Sequence, residues 1–291
     1  MKRSERVEAM AAPGGVRRYR RLLKACLSLF RVQTAEGFQY RAAALSGVVT
    51  SLVWAFVEVV AFTVFFKYAD NAGVVGGLTL AQTISHVWVR ELLLFLQPFS
   101  IDGVLLRKID NGDVGVEMCR PLDLYWHWFA RTSSGKVVMA VMRCLVCFLI
   151  GFLIPGGYGA GLPVSLAALI AFIPSVLCAF ALCSAYNMLV TALRMDVSWG
   201  NAPMYFMLLI SQVLSGGYLA LQLWPGVMQR FLLYQPFAGM CDIPARLYIG
   251  SMPPSDAFQA MGIQLAWTLV FILLGRWVMA RRLRGIIAQG G

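Results

Sequence analysis

Histidine is nearly absent from this sequence: His86 and His127 are the only two in 291 residues. HExxH therefore does not occur, and GxSxG is missing as well, so hydrolysis by a metal or a serine nucleophile has no visible machinery. Charge is scarce. Charged residues make up 13% of the chain against 59% hydrophobic, and the mean hydropathy is +0.70, which excludes an ordinary soluble domain. A phosphate loop is also lacking. Ser134-Gly135-Lys136-Val137 has Ala130 where the upstream glycine belongs and Val137 where Ser or Thr must follow the lysine, so the chain cannot hydrolyse ATP alone. Acidic residues are few, 14 against 25 Lys and Arg. Such an excess can mark a nucleic-acid binder, but the cations sit beside apolar runs, ten of them before residue 42. They read as topology-setting charge, and no nucleic-acid partner is expected. The seven cysteines lie mostly within apolar runs. Cys144 and Cys147 form a CxxC without a nearby histidine, so packing is the reading and no metal site is expected. No catalytic constellation is expected either.

What is present is apolar sequence in runs of the ~20 residues a helix needs to cross ~30 Å of hydrocarbon. The reading is an all-α integral membrane protein with six transmembrane helices near residues 42–66, 79–97, 137–154, 163–192, 203–223 and 257–279. The second is the weakest, since it contains His86, Arg90 and Glu91. Lying flat, it would leave five crossings and put the two terminal Arg clusters on opposite sides, which the charge rule disfavours. With both termini cytoplasmic, 20 cations fall inside and only Lys67, Arg230 and Arg246 outside. No cleavable signal peptide is expected, because the first 41 residues are too long and basic for an n-region. The organisation is then a cytoplasmic N-terminus (1–41), a six-helix domain (42–284) and a short cytoplasmic tail (285–291), with a cytoplasmic loop at 102–136 and an outer loop at 223–256.

Ahead of the first span, Tyr19, Leu22, Leu23, Cys26, Leu27 and Phe30 fall on one helical face, with Arg17, Arg20, Arg21, Lys24 and Arg31 on the rest. This is the pattern of an interfacial amphipathic helix beside anionic lipid. Small residues recur at every fourth position in the first span, where Gly47 and Ser51 are central, and in the fourth, where Ala171 and Ser175 are. Such ladders serve close helix packing, within the chain or between subunits.

Charges inside a membrane are costly and point to pairs or pathways. At 1.5 Å rise, Glu58 lies about 12 Å, His86 about 10 Å and Arg90 about 16 Å below the outer ends of their spans. Glu91 and Arg143 lie roughly 12 and 9 Å above the inner ends of theirs. The expected pairs are Glu58 with Arg90 or His86, and Glu91 with Arg143. Snorkelling of Arg143 to the inner headgroups and a pathway-lining role for Glu58 or Glu91 are the alternatives.

The loop at 102–136 has an apolar edge, Val104, Leu105 and Ile109, at helical spacing, then the turn Asp110-Asn111-Gly112-Asp113 and a second short helix ending before Pro121. A short helix projecting from a membrane domain suits docking in a partner's groove. The outer loop is rich in aromatics and prolines, including Trp224, Pro225, Phe231, Tyr234, Pro236, Phe237 and Tyr248. Short helices dipping back into the outer leaflet are expected there.

With this layout the sequence resembles the permease subunits of ABC-2 type ABC transporters, and more narrowly the six-span viologen-exporter-like group. The likeness rests on the N-terminal stretch and on an "I-x-x-G-D … L-x-R-P" style pattern. Here that pattern reads Ile109-Asp110-Asn111-Gly112-Asp113, then Met118-Cys119-Arg120-Pro121-Leu122. It rests also on Leu214-Ser215-Gly216-Gly217, Trp224-Pro225 and Gln235-Pro236-Phe237. Met118-Cys119 departs from the family's Leu-rich approach. The resemblance implies a homo- or heterodimeric membrane domain in the bacterial inner membrane, served by separate ATPase subunits that bind ATP and Mg. It implies that Val104, Leu105, Arg107, Lys108, Ile109, Asp113 and Arg120 belong to a coupling helix region. It also implies that Trp224, Phe231, Tyr234 and Phe237 belong to re-entrant helices forming an outer gate. The expected activity is export of a hydrophobic or amphipathic molecule, a cationic drug among the possibilities. Lipid or lipid-linked glycan export, and a non-transporting scaffold or immunity protein, are the alternatives.

Overall fold

In this computed structural model the described residues are 27–28, 30–39, 41–68, 74–98, 101–119, 123–196 and 200–289. The N-terminal amphipathic stretch falls mostly outside them, as do Arg120 and Pro121; residues 30–37 are helical.

The apolar run after the basic N-terminus forms α1 (Arg41–Tyr68). Its buried stripe is narrow, Val48, Ser51, Ala55 and Val59, while Val49, Val53, Trp54, Val57, Val60 and Val64 are exposed. A helix apolar on every face but buried along one belongs against lipid. A two-residue hairpin follows, Val74–Val75 against Leu78–Thr79, antiparallel, with Val74 opposite Thr79. Gly76 and Gly77 both take positive φ there, 59° and 78°, the conformation that a twist-matched two-residue turn needs. Thr79 then caps α2 (Leu80–Leu92) in a capping box with Gln82. A 3₁₀ turn, Leu93–Leu96, extends it.

The loop contributes α3 (Gly103–Asp110) and α4 (Val114–Met118). Asp123 caps α5 (Leu124–Met139), which runs through a π turn, Ala140–Cys144, into α6 (Leu145–Phe152). Ser165 caps α7 (Leu166–Arg194), which contains Pro174. Then come α8 (Ala202–Leu214), the short helices α9 (Gly226–Tyr234) and α10 (Asp242–Ile249), and the long α11 (Ala257–Gln289).

Among the described residues four helices are long and apolar enough to cross a membrane: Ala44–Tyr68, Leu124–Phe152, Leu166–Arg194 and Pro254–Gly285. The other two expected spans are shorter. The second is the 13-residue α2 plus its 3₁₀ turn. Ile84, His86, Val87, Trp88, Val89, Arg90 and Glu91 are all buried in it, so it lies within the bundle, shielded from lipid. The fifth ends at Leu214 rather than 223. Gly216, at φ 79°, turns the chain there, and a Cβ on it would meet Asp242 Cβ at 3.1 Å. The third span begins at Leu124 rather than 137. The polar residues that made 124–136 look like loop, Thr132, Ser133, Ser134 and Lys136 among them, are turned into the bundle. The loop proper therefore ends near Asp123.

Three apolar clusters hold the bundle. One joins Leu105, Ile109 and Val114 of the loop to Trp128, Tyr186 and Met188. A second surrounds Trp88 and Leu93. A third unites the short helices through Leu221, Leu232, Ile243 and Leu247. The ladder of the fourth span works inside the chain. Ser175 Oγ donates to Gln264 Oε1 at 3.3 Å, and Gln264 Nε2 donates to the carbonyls of Ser175 at 3.2 Å and Gly239 at 2.7 Å. Ala171 is half-buried against the third cluster.

Candidate functional site

The capping box sets the start of α2, and its helical phase then turns Arg90 and Glu91 into the bundle. Arg90 Nη1 lies 2.6 Å from Glu58 Oε2 on α1, and Nη2 lies 2.9 Å from Glu91 Oε1. Nη1 also donates to the Gly217 carbonyl at 3.1 Å. One guanidinium thus joins α1, α2 and the turn after α8. Gly217 has to be glycine for this approach, since a Cβ would stand 2.8 Å from Gln97 Oε1 and 2.9 Å from the Gln212 carbonyl. The Gly216-Gly217 pair of the sequence thereby has a physical role: it brings a backbone acceptor to Arg90.

Glu58 and Arg90 are together. The other expected contacts differ. Glu91 goes to its neighbour Arg90, and Arg143 Nε donates to Ser51 Oγ at 3.0 Å. The Arg143 stem lies along Gly47, where a Cβ would stand 3.0 Å from Arg143 Cδ. The small residues of α1 therefore seat a long cation; they do not meet a second helix backbone at this point. His86 is buried and its Nε2 has no hydrogen-bond partner; Arg90 occupies Glu58 in its place.

Two cavities meet here. The smaller, about 280 Å³, is lined by Ser51, Trp54, Glu58, Arg90, Glu91 and Tyr218 among others. The larger, about 560 Å³, is lined by Phe95, Asp102, Arg131, Lys136, Met139 and Asn187 among others. Gln97 and Arg143 belong to both walls. Arg143 sits in the π turn, a wide turn of the kind found at functional sites. The cavities are neighbours separated by the Gln97 and Arg143 side chains, one at the loop side and one at the charged triad. Lys136, Gln97 and Asn187 are site residues that the sequence reading passed over. Lys136 offered the one signal, a cation within a segment that the structure shows to be helix.

Asp102 joins the larger cavity to the loop. It caps α3 by accepting from the Val104 N–H at 2.8 Å, and its Oδ2 lies 2.7 Å from Arg131 Nε. The inferred docking edge is corrected in its direction. Leu105 and Ile109 are buried in the bundle and Val104 is half-buried. The exposed surface is Arg107, the turn Asp110 to Asp113, and Val116, at 67% exposure. Further ion pairs anchor the loop side. Asp110 holds Arg194 at 2.5 Å, Asp196 holds Arg282 at 2.7 Å and Asp123 holds Arg276 at 3.4 Å. Lys108 bonds Glu117, whose other oxygen accepts from Trp128 Nε1 at 2.5 Å.

Burial alone would raise the Glu117 carboxyl, but hydrogen bonds from Lys108 and Trp128 and the nearby charge of Lys108 carry it below its ordinary value of 4.5. The unfolded chain then takes up the proton more readily than the folded one. Stability from this group is present above pH 4.5 and is lost as the pH falls through the folded value. The expected result is that wild type unfolds at a higher temperature than Glu117→Gln near neutral pH, and that the difference shrinks on acidification. Thermal unfolding of both proteins across that range checks it.

The four expected gate residues do not assemble. Phe231 and Tyr234 project from α9, exposed at 72% and 56%. Phe237 packs edge-to-face on Tyr186 against the first cluster, with ring centroids 5.1 Å apart. Trp224 packs against the third cluster. The residue that organises this region is Asp242, fully buried. Its Oδ1 accepts from the Leu221 N–H at 3.1 Å and it pairs with Arg246. Burial raises its carboxyl, against the pull of Arg246. Its spacing of four from Arg246 was the available signal.

Among the described residues no group of three or more His, Cys, Asp or Glu is placed to hold a metal. Compared with known proteins, the chain matches a family model described as ABC-2 family transporter protein over residues 52–290. No curated protein and no solved structure matches it.

Proposed function

The chain belongs to the ABC-2 family of transporter proteins, a multi-pass membrane family whose members partner an ABC ATPase and are not themselves catalytic, and from that membership we propose that it is the permease subunit of an ATP-driven exporter. Its ATPase is a separate chain that holds ATP and Mg. Two permease copies, identical or paired with a second permease, form the membrane domain in the bacterial inner membrane. Each crosses six times, with the helices at 80–96 and 202–214 as inner, partly shielded crossings and both termini cytoplasmic. The cargo is hydrophobic or amphipathic.

One observation carries this reading. Asp102 caps the loop helix, binds Arg131 and lines the larger cavity. A push on the loop by an ATPase that closes on ATP then has a direct route to the cavity wall through Asp102, beside the packing of Leu105 and Ile109 and the Asp110–Arg194 pair, as in a rigid-body switch. The test is reconstitution of the chain with its ATPase in vesicles and measurement of uptake of a fluorescent alkyl amphiphile. ATP-dependent accumulation is expected. Accumulation that needs no nucleotide would overturn the ATP-driven reading, and a purified chain that accumulates nothing and binds no ATPase would favour a scaffold instead.

A further inference from the structure

We infer that the larger cavity binds the anionic head group of an amphipathic substrate, with Lys136 and Arg143 as its cationic contacts. The inference rests on the permease reading and narrows its cargo. Lys136 is 8% exposed. Among the described residues its Nζ contacts the Phe95 carbonyl at 3.5 Å and Cys183 Sγ at 3.2 Å, with no carboxylate in reach. Arg143 contacts the Ser51 hydroxyl and likewise has no carboxylate partner among the described residues. Asp102 supplies a carboxylate to this cavity, but Arg131 holds it. A buried cation without a counter-charge is expensive and is normally paired or ligated.

The neutral groups agree. Gln97 is 4% exposed and lies beside the Cys241 thiol, its Nε2 makes no hydrogen bond to an oxygen or nitrogen among the described residues, and it lines both cavities. Ammonium, guanidinium and amide N–H groups together are donors that suit a phosphate or carboxylate. Asn187, 3% exposed, has an unpartnered Oδ1, an acceptor for a head-group hydroxyl or a protonated phosphate oxygen. The carboxylates that would attract a cation, Glu58 and Glu91, are both committed to Arg90. A cationic cargo would therefore have to compete with Arg90 for these two acids, of whose oxygens only Glu91 Oε2 has neither a hydrogen bond nor an ion pair among the described residues. Beyond Arg143 the smaller cavity has the self-paired Glu58–Arg90–Glu91 triad in one part of its wall and Trp54 and Leu94 in another. Trp54 and Tyr218 are exposed at its mouth, 61% and 54%, so an alkyl chain can lie there while the head group stays at Lys136.

The test measures saturable binding of radiolabelled dodecyl phosphate to the purified full chain in neutral maltoside micelles. Wild type is expected to bind. Lys136→Gln and Arg143→Gln should each weaken binding about tenfold or more, and Lys136→Arg should stay near wild type. Arg143 is only partly buried, so its variant keeps the test informative if Lys136→Gln misfolds. Dodecyltrimethylammonium and inorganic phosphate should compete poorly. Equal competition by dodecyltrimethylammonium, unchanged binding in Arg143→Gln, or no saturable binding would each overturn the proposal. Competition by inorganic phosphate as strong as that by dodecyl phosphate would overturn its amphipathic part and leave a free-anion site. No nucleotide or ATPase enters this assay. Loss of binding alongside intact ATP-driven uptake rejects the substrate class alone, whereas intact binding without ATP-driven uptake rejects the exporter.

Discussion

Arg90→Leu is expected to abolish the stable fold of the chain in detergent, a larger effect than loss of either carboxylate it holds. The guanidinium is 5% exposed and is shared between Glu58 at 2.6 Å and Glu91 at 2.9 Å. Leucine removes the one cation between a buried acid, Glu91, and a half-buried one, Glu58, and leaves both uncompensated. Breaking a buried ion pair in this way costs roughly 3–5 kcal/mol, a large part of a typical stability of about 5–15 kcal/mol. It also orphans the Gly217 carbonyl, loosening the turn after α8. Glu58→Gln removes a charge whose side chain is 20% exposed and leaves Glu91 in place, so a loss of about 1–3 kcal/mol is expected. The triple change of Arg90, Glu58 and Glu91 to glutamine should recover much of the stability lost in Arg90→Leu, because no charge is left unpaired. Tryptophan-monitored unfolding of the detergent-solubilised proteins ranks the variants. An Arg90→Leu protein that unfolds at the wild-type temperature would show that the triad does not hold these elements together.

This triad also shows how far the sequence could be read. Depth is a one-dimensional quantity, set by a constant rise per residue, and counting along two helices put Glu58 within reach of Arg90. Azimuth is not. Adjacent residues point about 100° apart, yet the fork of Arg90 is long enough to turn back to Glu91, which leaves Arg143 to the hydroxyl of Ser51. The apolar edge of the loop was visible from its spacing, but spacing does not tell whether an edge faces a partner or its own bundle. Leu105 and Ile109 face the bundle, beside Trp128 and Met188. Hydropathy likewise misplaced the start of the third span. It scores Arg131, Ser134 and Lys136 as water-facing, although Ser134 and Lys136 are buried and Arg131 and Lys136 line a cavity that exists only once the 3₁₀ turn after α2, the start of the loop, α5 and α7 have come together. The end of α8 depends on Asp242, 26 residues beyond Gly216, a contact no local pattern records. The four long apolar helices, read as four of six spans, and the depth of Glu58 and Arg90 are local and were legible; the pair of cavities is a long-range product.

Substitution at the exposed tip of the loop, Arg107→Glu with Val116→Asp, is expected to reduce recovery of an ATPase with the purified chain by about tenfold or more, at wild-type stability. Both residues are exposed, and surface changes of this kind usually alter stability by about 0.5 kcal/mol or less. Truncating or reversing central contacts in a docking surface costs about 2 kcal/mol or more, which sets the size of the loss. Ile109→Glu serves as the contrast. At 4% exposure it buries a charge among Leu105, Trp128 and Met188, so it should lower the unfolding temperature and lose the ATPase only as a consequence. A third variant separates grip from transmission. Asp110 is 46% exposed and pairs with Arg194 at the end of α7, so Asp110→Asn removes one charge at the edge of the tip, keeps Arg107 and Val116, and releases the tip from the helix it would push. That protein should still bring down an ATPase and should consume ATP with diminished transport. Retention of the ATPase by the double tip variant would remove this surface as the docking site. Full transport by Asp110→Asn would mean that the stroke reaches the bundle by another route, of which the Asp102–Arg131 pair at the cavity wall is the nearest.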